Sequence, residues 1–325
     1  MLLIYTTSFD TTVDLLLHRM GPEQCFRYNF DLWRDYKLEV SDGRFRIEDP
    51  SGRSIDDFRV RKVLYRKPFV TKDIDVQIDI SEQDAYCEEE LWYALREIIN
   101  LLWAADKIVL VEPRADMRAG KFVQMQLARR YFAVPEYHFG YGRTGPFLGG
   151  RPTIVKSLTF ESVTGKAEPR VVYTTRVPDD ELSPAFPWMI QEYIEAQTDV
   201  TVAFVRDQLF AFELDRMPFL NLTVDWRELP AEATATMWRP HALPTWMDKA
   251  VFAFMRDLNL HFGRLDFLHD GSRYVFLEVN PNGQWGWLDT EGKHGLLEKI
   301  IAEVSPLTPC HPIPNKFRMD LTAVG

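Results

Sequence analysis

Residues 263–283, GRLDFLHDGSRYVFLEVNPNG, hold two apolar runs on either side of Asp270-Gly271-Ser272 and then break at Pro281. The pattern reads as a β-hairpin, and in a hairpin a slip of one residue turns a whole strand over. With a two-residue Asp-Gly turn, Asp266 shares a face with Val275, Leu277 and Val279, which sets a carboxylate among aliphatic side chains. A three-residue loop separates the two sets instead. Leu265, Phe267, Val275, Leu277 and Val279 then lie on one face, and Arg264, Asp266, Leu268, Tyr274, Phe276, Glu278 and Asn280 on the other. A Gly-containing three-residue loop is a common hairpin connection, so the spacing predicts an odd loop and one polar patch at the end remote from the turn.

That patch needs compensation, because carboxylates and amides buried without partners cost several kcal/mol. Two carboxylates and an amide oxygen beside an arginine suit Mg²⁺, which takes oxygen ligands and keeps waters and substrate phosphates in its shell. Asp266, Glu278 and Asn280 are therefore candidate metal ligands. A phosphate would complete the set and engage Arg264. Glu278 and Asn280 are expected to be compensated by metal and phosphate and not by protein groups. The same four residues also read as a solvated sheet face with an incidental ion pair.

The totals narrow the function classes. At 325 residues the chain has room for roughly two domains of about 150 residues each. Its net charge of −10, from 48 acidic against 38 basic side chains, argues against a broad nucleic-acid footprint. Cys25, Cys87 and Cys310 are odd in number and lack metal-type spacing, which points to neither a disulfide framework nor zinc and to a reducing cytoplasm. With no apolar run of about 18 residues and an acidic residue early in MLLIYTTSFDTT, the chain reads as unexported and without a membrane partner.

Along the chain, LLIYT (Leu2–Thr6) is a strand, and Asp10 to Thr12 cap a helix that stops at Gly21-Pro22. CFRYNF is a second strand, KLEVSDGRFRIED a hairpin around Asp42-Gly43, and VRKVLYRKP a strand closed by Pro68. Residues 81–105 have the apolar spacing of a helix, and KIVLV (Lys107–Val111) is a strand. The polar connection EPRADMRAG marks a boundary. After the helix KFVQMQLARRYF come the short strands TIVKSL, RVVYTTRV, WMIQEYI, DVTVAFV and QLFAFEL, and then two more helices, TWMDKAVFAFMRDLNL and TEGKHGLLEKIIAEV. The tail after Pro306 is expected to wrap the surface.

GRLDF followed by FLEVNPNGQW resembles the ATP-grasp superfamily, and specifically its microviridin-type, or graspetide, peptide ligases. The resemblance spans most of the chain. VLYRKP is similar to the family's Tyr-Arg-Arg-Pro strand, and GKFVQMQLARRYFAVP to its Lys-x-x-x-Gln-Leu-x-x-Ala segment. It implies an α/β (α+β) ATP-grasp fold, with a pre-ATP-grasp domain over 1–114, a central subdomain over 115–190 and a C-terminal subdomain over 191–325.

By the same resemblance, Lys121 and Lys156 bind nucleotide, Gln191, Glu192, Tyr193 and Ile194 line the adenine, and Asp199 and Arg264 belong to the nucleotide site. Asp266, Glu278 and Asn280 hold Mg²⁺, two ions in all. Asp225 and Arg227 form the Asp-x-Arg element that holds the peptide core. Taken singly, Lys121 reads equally as a solvated lysine, Glu192 as a strand-edge charge, and Asp225 with Arg227 as a surface pair. Thr201 stands where the family has Arg, which removes an expected phosphate or substrate contact.

The implied chemistry is activation by ATP of an Asp or Glu side chain of a ribosomal precursor peptide, leader plus core, as an acyl phosphate. Attack by a Ser or Thr hydroxyl or a Lys amine then closes an ester or amide ring. Lys156, Arg264, Asp225 and Arg227 are the candidate catalytic groups, acting by positioning and charge neutralisation. The family further implies a homodimer. Two other readings stay open: a ligase joining free amino acids or small peptides, and a nucleotide-binding protein without ligase activity.

Overall fold

The computed structural model describes residues 1–66, 82–142, 145–158, 162–163, 170–171, 173–178, 181–219, 222–230 and 237–314. Pro68, residue 81 of the expected long helix, and the tail beyond 314 lie outside these.

Strand β1 (Leu2–Thr6) leads into helix α1 (Thr11–Met20), whose first turn is capped by the Asp10 side chain accepting from Val13 N. There follow β2 (Cys25–Asn29), the hairpin β3 (Lys37–Ser41) and β4 (Arg44–Glu48), β5 (Ser54–Asp56), β6 (Lys62–Tyr65), the long helix α2 (Glu82–Ala104) and β7 (Ile108–Val109). Asp42 and Gly43 both take positive φ, 51° and 75°, as the tight hairpin turn expected there requires.

Strands β2-β1-β6-β7 form a parallel sheet. Parallel sheets are covered on both faces, and successive residues point to opposite sides. Accordingly Leu3 and Tyr5 pack with Leu95, Ile98 and Leu102 of α2, whereas Leu2 and Ile4 pack with Val13 and Leu16 of α1 and with Leu296, Leu297 and Ile300 near the C-terminus. The expected strand KIVLV is shorter than its apolar run. Leu110 takes φ 61° and Val111 N donates back to Val109 O at 2.7 Å, which turns the chain out of the sheet.

Beyond β7 come α3 (Ala115–Arg118), α4 (Lys121–Ala128), β8 (Tyr137–Gly140), β9 (Thr153–Lys156), the short pair β10 (Ser162–Val163) and β11 (Arg170–Val171), and β12 (Trp188–Glu192). Strands β8-β12-β9 make a small antiparallel sheet. A larger antiparallel sheet of order β15-β14-β13-β16-β17 combines β13 (Thr198–Val205), β14 (Gln208–Asp215), β15 (Arg239–Pro240), β16 (Phe262–His269) and β17 (Tyr274–Asn280). Helix α5 (Thr245–Asp257) lies against it, burying Met247, Val251 and Phe254 on Val200, Val202, Leu265 and Phe276. Helix α6 (Leu296–Val304) returns to the N-terminal sheet. The tail after Pro306 packs there too: Ile313 is buried, its N donates to Ile108 O at 2.9 Å, and its carbonyl accepts from Trp103 Nε1 at 3.1 Å. No helix among the described residues is long and apolar enough to cross a membrane.

The β16–β17 hairpin corrects the sequence reading of its turn. At the polar end the expected shared face holds, but the register does not: Arg264 lies opposite Asn280 and Asp266 opposite Glu278, each two residues beyond the partner a three-residue loop would give. At the turn, however, His269 pairs with Tyr274, so the loop is the even set 270–273 and not an odd one. The Asp270 carboxylate accepts from Ser272 N at 2.9 Å and Arg273 N at 3.0 Å, which favours this four-residue loop. A β-bulge between the two registers, with Leu277 as the extra residue, restores the shared face at the polar end. Tyr274 and Phe276, expected beside Glu278, instead sit on the helix face. Phe276 is buried among Phe132, Phe254 and Phe267, while Leu277 turns to the cleft.

Candidate active site

The polar ends of β16 and β17 form the floor of a cleft lined by Lys121, Lys156, Gln191, Glu192, Tyr193, Ile194, Asp199, Asp225, Arg227, Arg264, Asp266, Glu278 and Asn280. Every candidate residue named from the sequence is thus brought to one place.

Cross-strand pairing sets the floor. Arg264 reaches along its own strand to Asp266, Nε to Oδ1 at 3.2 Å and Nη2 to Oδ2 at 2.9 Å, and its Nη1 donates to Gln284 O at 3.1 Å. Asn280 Nδ2 donates to Glu278 Oε1 at 3.0 Å and lies 3.4 Å from Asp266 Oδ2. Thr201, one strand over on β13, donates its hydroxyl to Asp266 Oδ1 at 2.8 Å. Where the sequence suggested only a lost contact, Thr201 holds a candidate metal ligand in place.

Lys121 begins α4, and its Nζ stands 3.2 Å from Glu278 Oε2 and donates to Ser157 O at 2.9 Å. The expectation that Glu278 would find no protein partner is therefore corrected: Lys121 and Asn280 both engage it. The physical reason is that the cations suited to phosphate lie within reach of the carboxylates suited to metal, and opposite charges at that range pair. Burial raises the Glu278 carboxyl, but Lys121 and Lys156 outweigh this and hold it below the usual carboxylate range. Lys156, at the end of β9, is pushed down to about 8 by burial; Glu278 opposes this, and Lys121 and Arg227 add to it.

At the other end of the cleft, Gln191 of β12 is fully buried, and among the described residues neither its Oε1 nor its Nε2 has a hydrogen-bond partner. A buried amide in that condition needs a ligand offering both a donor and an acceptor, as a nucleobase edge does. Glu192 lines the cleft at the end of the central strand of its sheet, and its carboxylate accepts from Glu136 N at 3.2 Å and faces Arg151 at 3.5 Å. Arg176 covers the Tyr193 ring at 4.5 Å.

The third wall carries charge pairs. Asp225 accepts from Arg227 Nε at 2.8 Å, from Arg227 Nη2 at 2.5 Å and from Thr174 N at 3.1 Å. Buried Asp199 is gripped by Arg216 Nη1 at 2.9 and 3.1 Å. Burial pushes its carboxyl up to about 6 against the pull of Arg216. Arg216 was not singled out from the sequence. It follows the strand QLFAFELD with no flanking signal, and only the fold brings it beneath Asp199.

Among the described residues no three His, Cys, Asp or Glu side chains come together as a metal cluster. Two carboxylates and one amide are an incomplete shell for Mg²⁺, so the remaining positions would fall to water and to a ligand's own oxygens.

No family model matches this sequence, and no curated protein matches it. Solved structures do. A RiPP-associated ATP-grasp ligase of Chryseobacterium gregarium, in complex with ADP and a leader and core peptide, superposes with TM-score 0.76 over 96% of this chain and 98% of its own at 21% identity. The macrocyclase MdnC of Microcystis aeruginosa MRC, bound with precursor peptide MdnA, gives 0.74 over 94% and 99% at 21% identity. The ATP-grasp ligase PsnB, complexed with minimal precursor, Mg and ADP, gives 0.61 over 90% and 91% at 15% identity. Likenesses of this depth over nearly whole chains establish the architecture: the chain has the α/β ATP-grasp fold.

Proposed function

We propose that the chain is an ATP-grasp ligase that activates Asp or Glu side chains of a ribosomal precursor peptide and closes ester or amide rings. One observation carries this reading. Three cations (Lys121, Lys156 and Arg264), three oxygen donors (Asp266, Glu278 and Asn280) and the Asp225–Arg227 pair all converge on one cleft that ends at the unsatisfied Gln191 amide. Further support comes from the fold, since the ligases that share it were solved with ADP, Mg and precursor peptides. In this reading 1–114 is the pre-ATP-grasp domain, 115–190 carries both lysines and 191–325 the metal hairpin.

A free carboxylate is a poor acyl donor because its leaving group would be oxide. Attack of the peptide carboxylate on the γ-phosphorus of ATP breaks the bond to ADP and leaves an acyl phosphate. A hydroxyl or amine of the same peptide then displaces phosphate and gives up a proton, so each ring costs one ATP and loses one water from the peptide. Mg²⁺ on Asp266, Glu278 and Asn280 would neutralise charge on the transferred group. With metal bound, Glu278 and Asp266 would serve it as ligands, which would free Lys121 and Arg264, their present partners, for phosphate oxygens. Arg227, oriented by Asp225, is the proposed contact to the peptide core. The proposed setting is the cytoplasm, where free thiols at Cys25, Cys87 and Cys310 persist, and the proposed assembly is a homodimer.

The pH dependence of ATP binding follows from Lys156. An anion favours the charged lysine. Below its value of about 8 the lysine is already charged, and above it ATP must bring a proton. ATP affinity by calorimetry is expected to be level up to about pH 7.5 and to weaken toward tenfold per unit above about pH 8. A level profile to pH 9.5 would remove Lys156 from the phosphate site. The reaction class is tested by product analysis with a candidate precursor peptide bearing Thr/Ser and Glu/Asp motifs: ADP and phosphate are expected, whereas AMP and pyrophosphate would overturn it.

A further inference from the structure

The cleft has an apolar corner that neither nucleotide nor metal chemistry uses. Trp226 lies on a short 3₁₀ turn (Trp226–Glu228), Trp238 precedes β15 and Trp287 follows the exit from β17. Their rings meet at centroid distances of 5.4, 5.6 and 5.0 Å with tilts of 75°, 47° and 64°. All three line the cleft and are half-buried, so the core behind them leaves indole surface uncovered. Trp238 Nε1–H is buried and has no hydrogen-bond partner among the described residues. The neighbouring charges are two ion pairs: Arg227, next to Trp226 in sequence, pairs with Asp225, and Arg264, 5.9 Å from the Trp287 ring centre, pairs with Asp266.

We infer that this corner anchors an aromatic or large aliphatic side chain of the peptide substrate, adjacent to the residue whose carboxylate reacts, with Trp238 Nε1–H donating to a main-chain carbonyl of the same segment. The inference rests on the peptide-ligase reading for the ligand being a peptide. Three arguments choose the class. Apolar side chains gain by covering indole surface already drawn partly out of water. An ammonium carries no acceptor for the indole N–H, and the nearby carboxylates of Asp225 and Asp266 are already taken by Arg227 and Arg264. A carboxylate would lose hydration against three aromatic walls, and a peptide carbonyl supplies the acceptor that a buried indole N–H requires. Anchoring one residue there limits where its neighbour's carboxylate can lie, which is how remote contacts raise the rate of a positioned reaction.

The test needs no turnover. The full chain carrying 5-fluorotryptophan is observed by ¹⁹F NMR with ADP and Mg²⁺ present, and Trp226→Phe, Trp238→Phe and Trp287→Phe assign the three resonances. The other six of its nine tryptophans report that each variant is folded. The probes are acetyl-Gly-Phe-Gly-amide and its Lys and Glu counterparts. The Phe probe is expected to shift all three resonances saturably, at least about fivefold tighter than either charged probe, and Trp238→Phe to weaken it about fivefold through the lost hydrogen bond. Equal or tighter binding of the Lys or Glu probe, or silence of the three resonances, overturns the inference. If the Phe probe binds but no precursor loses water, the ligase reading fails and the anchor stands. If rings form while the corner is silent, only the anchor fails.

Discussion

Glu278→Gln is expected to lower turnover by at least about 10³-fold, a loss of about 4 kcal/mol in transition-state stabilisation, with little change in fold. Glutamine keeps the shape and the oxygen that Asn280 Nδ2 engages at 3.0 Å. What it removes is the charge that Lys121 meets at 3.2 Å, together with the pull that holds the Lys156 proton against burial. The site would then carry uncompensated cations and a neutral amide oxygen in place of an anionic one at a proposed metal ligand. Nucleotide is therefore expected to bind without its dependence on Mg²⁺, because the cations no longer leave a carboxylate to take phosphate. ADP release under saturating ATP reads the first effect, and calorimetry with and without Mg²⁺ the second. Undiminished ADP release would take Glu278 out of the metal site.

The second large effect lies away from the chemistry. Arg66 is fully buried, and its Nε donates to Asp10 Oδ2 at 3.2 Å. Its Nη1 donates to Asn282 Oδ1 at 2.8 Å, to Gly283 O at 3.0 Å and to Asn282 O at 3.2 Å. This arginine ties β6 to the turn after β17, and Thr12 adds a hydroxyl contact to Gln284. Arg66→Met should destabilise the chain by about 3–5 kcal/mol, because it leaves the Asp10 carboxylate buried without its partner. Arg66→Lys should recover only part, since an ammonium lacks the planar fork that serves Asp10 and the turn together. The urea midpoint of each variant measures this, and a loss below about 1 kcal/mol for Arg66→Met would place the turn's support elsewhere. Activity should fall as well, because Gln284 O is the acceptor that steadies Arg264 Nη1 at 3.1 Å.

Local physics made much of this molecule legible from its residues. The Asp10 cap, the Asp42-Gly43 turn and the apolar strand Leu2–Thr6 are short-range signals, and each is where it was expected. That Arg264, Asp266, Glu278 and Asn280 share a face was also legible, because burying a carboxylate among aliphatics excludes the other parity. The register that pairs them was not. A β-bulge has no composition of its own, and Leu277 looks like any strand residue until the phenylalanine cluster claims Phe276. The contacts of Glu278 with Lys121, of Thr201 with Asp266, and of Arg66 with Asn282 join residues far apart in sequence, and no periodicity reports such pairs. The three indoles come from three separate segments and meet only in the fold.

The central claim, that the cleft converts ATP into rings on a peptide, is met most directly by weighing the peptide. The full chain is incubated with ATP, Mg²⁺ and a candidate precursor peptide bearing Thr/Ser and Glu/Asp motifs, while ADP is counted in the same reaction. The peptide is expected to become lighter by whole waters, with one ADP released for each water lost. ADP released with no fall in peptide mass, or a precursor left unchanged with no ADP formed, would contradict it.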